Sequence, residues 1–524
     1  MNTPDQSAPP ARPAARKKRR GRARSFRENQ AAQPPPAAAP YITRALPPYD
    51  MLDEEGIARI EEHADLILRE FGIEIRGDEE ALRLFEQAGA ERDGARLKFE
   101  PGLVGHIVRQ STPAEFTHVA RNPARSVRIG GAHTALAPAY GPPFVRDLER
   151  GRRYGTLEDF RNLIKLAYLS PHIHYSGGTI CEPCDIAVNQ RHLDMVYAHM
   201  RWSDKPFLGS VTTAERARES IEMCRILFGA DALERDCVIL GNVNVNSPLV
   251  YDGMVTQVMR AYAEAGQGVV ISPFILGGAM GPVTPAASIA QAHAEAMVGV
   301  ALTQLARPGA PVIYGNFFTT MSLRSGAPTF GQPEVMLAYM TVGQLARRAG
   351  IPLRCGGALT SAKTGDAQSA QESAQSLLPA LLSGANFVLH AAGWLEGGLT
   401  MGYEKFIQDA DRCGMMVKMF QGLSLDENAF ALDAYREMEH GQHFLGAAHT
   451  LHNYTTAFYE STVADSKSYE QWLEEGEHND EQRACEIWKR QLREYEPPPL
   501  DQAADEALRE YVARTKAGRE DRWY

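Results

Sequence analysis

Eight short stretches of this chain end in residues that bind ligands well but offer few strong acids, bases or nucleophiles. They read Tyr140-Gly-Pro-Pro-Phe144, Ser176-Gly-Gly-Thr179, Ser210-Val-Thr212, Asn242-Val-Asn244-Val-Asn246-Ser247, Ser272-Pro-Phe274 followed by Gly277-Gly278, Tyr314-Gly-Asn316-Phe317-Phe318, Gly356-Gly357, and His390-Ala-Ala-Gly-Trp394-Leu-Glu396. Missing are the carboxylate and histidine set of a catalytic metal, a lysine placed for a Schiff base, and the paired acids of a glycosidase. Aromatic faces with neutral amides suit a large flat cofactor, or a quaternary ammonium held by cation–π contact. The candidate substrate-binding residues are therefore Tyr140, Asn316, Phe317, Phe318, His390, Trp394 and Glu396, with no residue assigned to covalent or acid–base catalysis. Period-2 alternation lets only one of Phe317 and Phe318 face inward. An aldolase or isomerase is the rival enzyme reading, and His390 with Glu396 is the adjacent titratable pair it would use.

A second face is drawn for a large cofactor. It comprises Gly177, Gly178, Asn242, Asn244, Gly356, Gly357 and Gln368. Glycines let a bulky group approach the backbone, and Asn242, Asn244 and Asn246 alternate along one strand, so they share a face as a polar ladder or a ligand-facing set. In GGALTSAKTGDAQ, residues 356–368, the side chains of Lys363, Asp366 and Gln368 either brace a loop or meet the ligand. No metal site is expected. Cys181-Glu-Pro-Cys184 lacks a second pair, His440, His443, His449 and His452 lack a zinc spacing, and His192 and His199 share one face of an outer helix.

The elements that must position these residues repeat. β-rich runs at 134–140, 172–178, 206–211, 237–245, 268–275, 311–317, 351–357 and 386–393 alternate with amphipathic segments of helical spacing. That order predicts an α/β fold, a (β/α)8 TIM barrel over 131–403, whose chemistry sits at the carboxyl ends of the strands. A doubly wound sheet is the rival, but neither G-x-G-x-x-G nor G-x-x-x-x-G-K-[ST] is present. An N-terminal α/β cap layer is expected over 41–130, and a last barrel helix with a C-terminal helical extension over 404–524.

Residues 1–40 differ in kind. They are Ala, Pro and Arg rich and include ARKKRRGRAR, a composition expected to stay disordered. They carry nine Arg or Lys against Asp5 and Glu28, so the chain's net −10 leaves about −17 for the rest. An acidic body argues against nucleic acid as the main ligand. Seven scattered cysteines fit a reducing compartment, read here as the cytoplasm. No apolar run approaches the roughly 18–20 residues of a membrane span, so no membrane partner is expected.

Three stretches carry a resemblance. GGALTSAKTGDAQSAQES (356–373), LLSGANFVLHAAGWLEGGLTMGYEKF (381–406) and GQHFLGAAHTLHNY (441–454), on this barrel pattern, resemble the trimethylamine methyltransferase superfamily over roughly residues 45–480. The resemblance implies a (β/α)8 barrel that moves a methyl group from a methylated amine to the cobalt of a separate corrinoid protein, and it suggests a homo-oligomer. It also implies that a tyrosine near the first strand and a histidine in NFVLHAAG line the substrate pocket, here Tyr140 and His390. Trimethylamine enzymes of that family carry pyrrolysine, whereas this chain has only standard residues. That departure favours the branch acting on quaternary amines such as glycine betaine, with Arg324 or an amide available to a substrate carboxylate. No D-x-H-x-x-G run is present, so the corrinoid is expected from a partner. A non-catalytic partner of a corrinoid protein is the other reading.

Overall fold

The computed structural model describes residues 39–523, so the basic tail expected over 1–40 lies outside the described residues apart from its last two positions. The β-rich runs are apolar on both faces, the composition of a parallel sheet covered on both sides. Numbered in chain order, its parallel strands are β1 (His133–Leu136), β2 (Leu240–Val245), β3 (Gly268–Leu276), β4 (Val312–Gly315), β5 (Phe317–Met321), β6 (Leu353–Gly356) and β7 (Phe387–Leu389). Pairing runs β2–β3–β4–β6–β7–β1, with β5 prolonging the line of β4 beside the end of β3. With helices between the strands this is a mixed α/β fold.

Two of the eight expected runs do not become strands. Segments 172–178 and 206–211 are held by single parallel bridges, Gly177 with Phe207 and Leu208 with Leu240. The physical reasons are local. Pro206 has no N–H to give, Gly177 sits at φ 111°, and Leu136 donates its N–H to Nδ1 of His174 at 3.0 Å instead of to a carbonyl. The backbone bonds that remain include His174 N to Leu136 O at 2.8 Å, Ser176 N to Pro206 O at 3.0 Å, Leu208 N to Gly177 O at 2.8 Å and Gly209 N to Leu240 O at 2.9 Å.

Four of the helices around the sheet begin where the sequence supplies a capping oxygen. Thr156, Thr213, Asp252 and Asp366 each accept a backbone N–H at the start of Leu157–Leu169, Ala214–Phe228, Gly253–Glu264 and Ala367–Leu382. Helix Pro285–Ala306 is buried along nearly all of its length. Its alanines let it pass between the parallel sheet and helices Glu54–Glu70 and Leu103–Ser111. The N-terminal layer also holds a small sheet of Ile73–Arg76, Glu91–Asp93 and Arg96–Lys98, which takes a fourth strand, Val250–Asp252, from the segment after β2. Near the C-terminus, Asp480–Arg493 packs on Tyr403–Phe420, where Trp488 Nε1 donates to Glu404 Oε1 at 2.9 Å.

No described helix is long and apolar enough to cross a membrane. All seven cysteines are free, and no group of three or more His, Cys, Asp and Glu among the described residues could hold a metal. His192 and His199 do lie on one helix, Arg191–Trp202, yet both are buried. His199 reaches the sheet, bonding Ser176 Oγ at 2.9 Å and Gly178 O at 2.8 Å.

Several histidines are kept neutral by burial. It holds His118, His199 and His293 down to about 4 and His174 to about 3. A histidine with a depressed folded pKa contributes stability above its unfolded value near 6.5 and loses it as pH falls toward the folded value. Each such group should cost about 1.4 kcal/mol per pH unit below about 6.5. Melting temperature is therefore expected to fall steeply from pH 7 to pH 5, and more shallowly in His293→Gln, which keeps a polar partner for the Tyr314 hydroxyl 3.0 Å away.

Candidate active site

His390 follows β7 directly and carries the most unusual backbone of the strand ends, with φ at 65°. A non-glycine residue there costs about 1–3 kcal/mol, which the neighbours must offset. They do so with a set of hydrogen bonds: His390 N to Pro138 O at 3.2 Å, Ala358 N to His390 O at 2.9 Å, Ala391 N to Ala137 O at 2.8 Å, and Gly393 N to Asp409 Oδ2 at 2.9 Å. Asp409 is itself buried in an ion pair with Lys405. The bend turns the imidazole over the sheet end.

The ring's state follows from its partners. Tyr140 N donates to Nδ1 at 3.2 Å, so in the neutral ring the proton resides on Nε2. Burial, and then the charge of Arg354, hold the pKa well below its ordinary value. His390 is a neutral donor.

Around it stands an aromatic group. Phe317 stacks on His390 with centroids 5.2 Å apart, Trp394 meets the same ring edge-on at 4.3 Å, and Phe274 and Phe330 extend the group through Phe317 and Trp394. Phe318 points elsewhere, its ring packing where a β-carbon of Gly277 would stand 3.2 Å away. Asn316 is fully buried, with neither side-chain nitrogen nor oxygen partnered, and Trp394 Nε1 is likewise unpartnered.

Tyr140 and Glu396 stand differently. The Tyr140 peptide belongs to the His390 site, but its ring lies against Gly178 in a neighbouring cleft with Thr179, Glu182, Arg191, His192 and Ser210. Burial pushes its phenol up to about 12. The Glu396 carboxylate is taken by Arg152, at 2.7 and 3.2 Å, and by Thr400 Oγ1 at 2.6 Å. Burial raises its pKa, and those bonds more than reverse the effect.

The second face has packing reasons of its own. A β-carbon at Gly178 would sit 2.6 Å from the Tyr140 ring, at Gly356 2.5 Å from the Tyr339 hydroxyl, at Gly357 2.6 Å from Ala391 Cα, and at Gly177 3.1 Å from Pro138. Gln368 donates to Glu372 Oε1 at 2.9 Å, and Glu372 Oε2 accepts from Thr360 Oγ1 at 2.6 Å and Ser361 N at 2.7 Å. Lys363 Nζ donates to Ser361 O at 2.9 Å while Asp366 caps the following helix. The 356–368 loop is braced by its own side chains. Asn242 is buried and accepts from Ser272 Oγ at 3.4 Å, whereas Asn244 is exposed.

One residue escaped the sequence reading. Arg354 on β6 is 1% exposed, donates to Asn316 O at 2.8 Å, and lies with Cζ 4.8 Å from the centroid of Phe317. Burial lowers its pKa to about 10. The signal was available as a lone arginine in the apolar run IPLRC. Arg324, the cation expected to reach in, is exposed in the turn after β5.

Because a β-carbon at Gly357 would stand 2.6 Å from Ala391 Cα and 2.9 Å from the carbonyl carbon of His390, Gly357→Ala should force the two strand ends apart. Overpacking of this kind costs about 1–3 kcal/mol. A melting curve should show the loss, and an unchanged melting temperature would remove the reason given for this glycine.

The chain is 40% identical over 470 residues to a glycine betaine methyltransferase of Desulfitobacterium hafniense, covering 90% of this chain and 98% of that one. It is 27% identical over 397 residues to a proline betaine:corrinoid methyltransferase of Eubacterium limosum, covering 74% and 81%. The solved monomethylamine methyltransferase of Methanosarcina barkeri aligns with a TM-score of 0.46 at 10% identity over 86% of this chain and 90% of that one. Residues 17–519 match the trimethylamine methyltransferase (MTTB) family, and the chain belongs to that family.

Proposed function

We propose that the chain transfers a methyl group from a quaternary amine to the cobalt(I) of a corrinoid carried by a separate protein. The observation that carries this reading is the neutral aromatic group of His390, Phe317 and Trp394, which has no free acid beside it. A quaternary nitrogen leaves without being protonated. The bond from methyl carbon to nitrogen breaks with its electron pair staying on nitrogen, the product is a neutral tertiary amine, and cobalt(I) supplies the pair for the new bond. The protein need only orient the ammonium, exclude water and keep His390 uncharged so that it does not repel the substrate. Glycine betaine is the substrate class to test first, since the 40% identical relative is named for it.

Three further readings belong with it. The parallel segments are taken to close into a (β/α)8 barrel, supported by the hydrogen bonds that lead from β1 through 174–176 and 206–209 to Leu240. The corrinoid is treated as a co-substrate because the four glycines at the strand ends are filled by the protein's own atoms and form no open cradle for a resident macrocycle. The exposed apolar side chains Leu423, Leu425, Phe430, Leu445 and Phe458 support self-association. Sedimentation should give a species larger than one chain, shifted toward monomer by Phe458→Glu.

The function is tested by mixing the purified chain with glycine betaine and free cob(I)alamin and following the corrinoid absorbance. Loss of the cobalt(I) spectrum with release of dimethylglycine is expected, none is expected with trimethylamine, and no cobalt should co-purify. His390→Ala and Phe317→Ala should each lower kcat/KM per folded molecule at least about tenfold, ~1.4 kcal/mol, beyond any fall in melting temperature from truncating a buried ring. Normal kinetics in both variants would sink the site.

A further inference from the structure

Away from the strand ends, one buried polar side chain faces open space. A cavity of about 450 Å³ lies between helices Glu54–Glu70, Leu103–Ser111, Pro285–Ala306 and Pro333–Ala349, and it shares no lining residue with the His390 group. His293 lines it while only 7% exposed. Its Nδ1 meets the Tyr314 hydroxyl at 3.0 Å, and Nε2 has no hydrogen-bond partner among the described residues. The hydroxyl has no other acceptor there, so it donates to Nδ1, and the proton of the neutral ring sits on Nε2. A buried N–H is normally bonded, and here only an occupant of the cavity can accept it.

Two charges on the same walls are also left over. Asp65 is half-buried, accepts the Gly102 N–H at 3.0 Å and touches no cation among the described residues. Arg109, at the rim, folds over Gly105, where a β-carbon would stand 3.1 Å from its guanidinium, and it forms neither an ion pair nor a hydrogen bond among the described residues. The other charged pair, Glu61 and Arg348, is closed on itself at 2.8 Å. An acid and a cation that line one cavity without pairing leave room for a molecule carrying both signs. No phenylalanine, tyrosine or tryptophan among the described residues lines the cavity, so a quaternary ammonium finds no aromatic face, and an ammonium held by Asp65 must bring N–H groups. Leu68, Val104 and Met297 add an apolar wall.

We propose that this cavity is a second ligand site, which binds a free apolar α-amino acid as its zwitterion. The ammonium donates to Asp65, the carboxylate accepts from His293 Nε2 and Arg109, and the aliphatic side chain lies on Leu68, Val104 and Met297. The site makes no use of methyl transfer and stands or falls apart from it.

Calorimetry of the purified chain with L-leucine and L-methionine tests this. Both should bind. Leucinamide, which lacks the carboxylate, isocaproate, which lacks the ammonium, and glycine, which lacks the side chain, should each bind at least about tenfold more weakly than leucine. Asp65→Asn, which keeps an acceptor for the Gly102 N–H, and Arg109→Met should each weaken leucine at least about tenfold, and His293→Gln, which keeps a partner for Tyr314, about threefold or more. Phe317→Ala should leave leucine binding unchanged. No heat from leucine or methionine at about 10 mM would overturn the proposal. So would equal binding of leucine, leucinamide and isocaproate, a comparison that needs no variant to fold. Leucine binding lost in Phe317→Ala but kept in Asp65→Asn would put the amino acid in the His390 site and overturn it as well.

Discussion

The peptide N–H of Tyr140 donates to Nδ1 of His390, and with burial and the nearby charge of Arg354 that bond keeps the imidazole neutral. Much else in the strand ends serves to hold this arrangement. The ring reaches Phe317 and Trp394 because the backbone at His390 takes φ 65°, and that turn survives because Pro138, Ala358, Ala391 and Gly393 bind the chain on either side of it. Gly357 supplies the close approach that lets β6 support the bend. Asp409, in its buried ion pair, anchors the turn from the following helix.

How much of this could be read from the sequence depends on the kind of interaction. The six runs that became strands are apolar over enough length for periodicity to show them, whereas the capping roles of Asp366 and Thr156 emerged only with the structure. Segments 172–178 and 206–211 carry the same composition but lose the ladder to Pro206, Gly177 and a side-chain acceptor, features that matter only once the register is known. His390, Phe317 and Trp394 could be placed together because all three sit at strand ends. The direction of the Tyr140 ring could not, because it is set by the missing side chain of Gly178, nor could the capture of Glu396 by Arg152, distant in sequence. Arg354 was visible as an anomaly in an apolar run, and its contact with Phe317 only in three dimensions.

The pairing of Glu396 bears on the chemistry as well as on legibility. A carboxylate held by Arg152 and Thr400 stays ionised and cannot serve as a general acid, and a histidine whose pKa lies well below neutrality carries no proton to give as an imidazolium. A reaction that had to protonate its leaving group would therefore find no donor of suitable acidity in this aromatic group. One whose leaving group departs with its own positive charge neutralised needs none. Rigidity then takes the place of acid–base chemistry, which is why strain at His390 is tolerated.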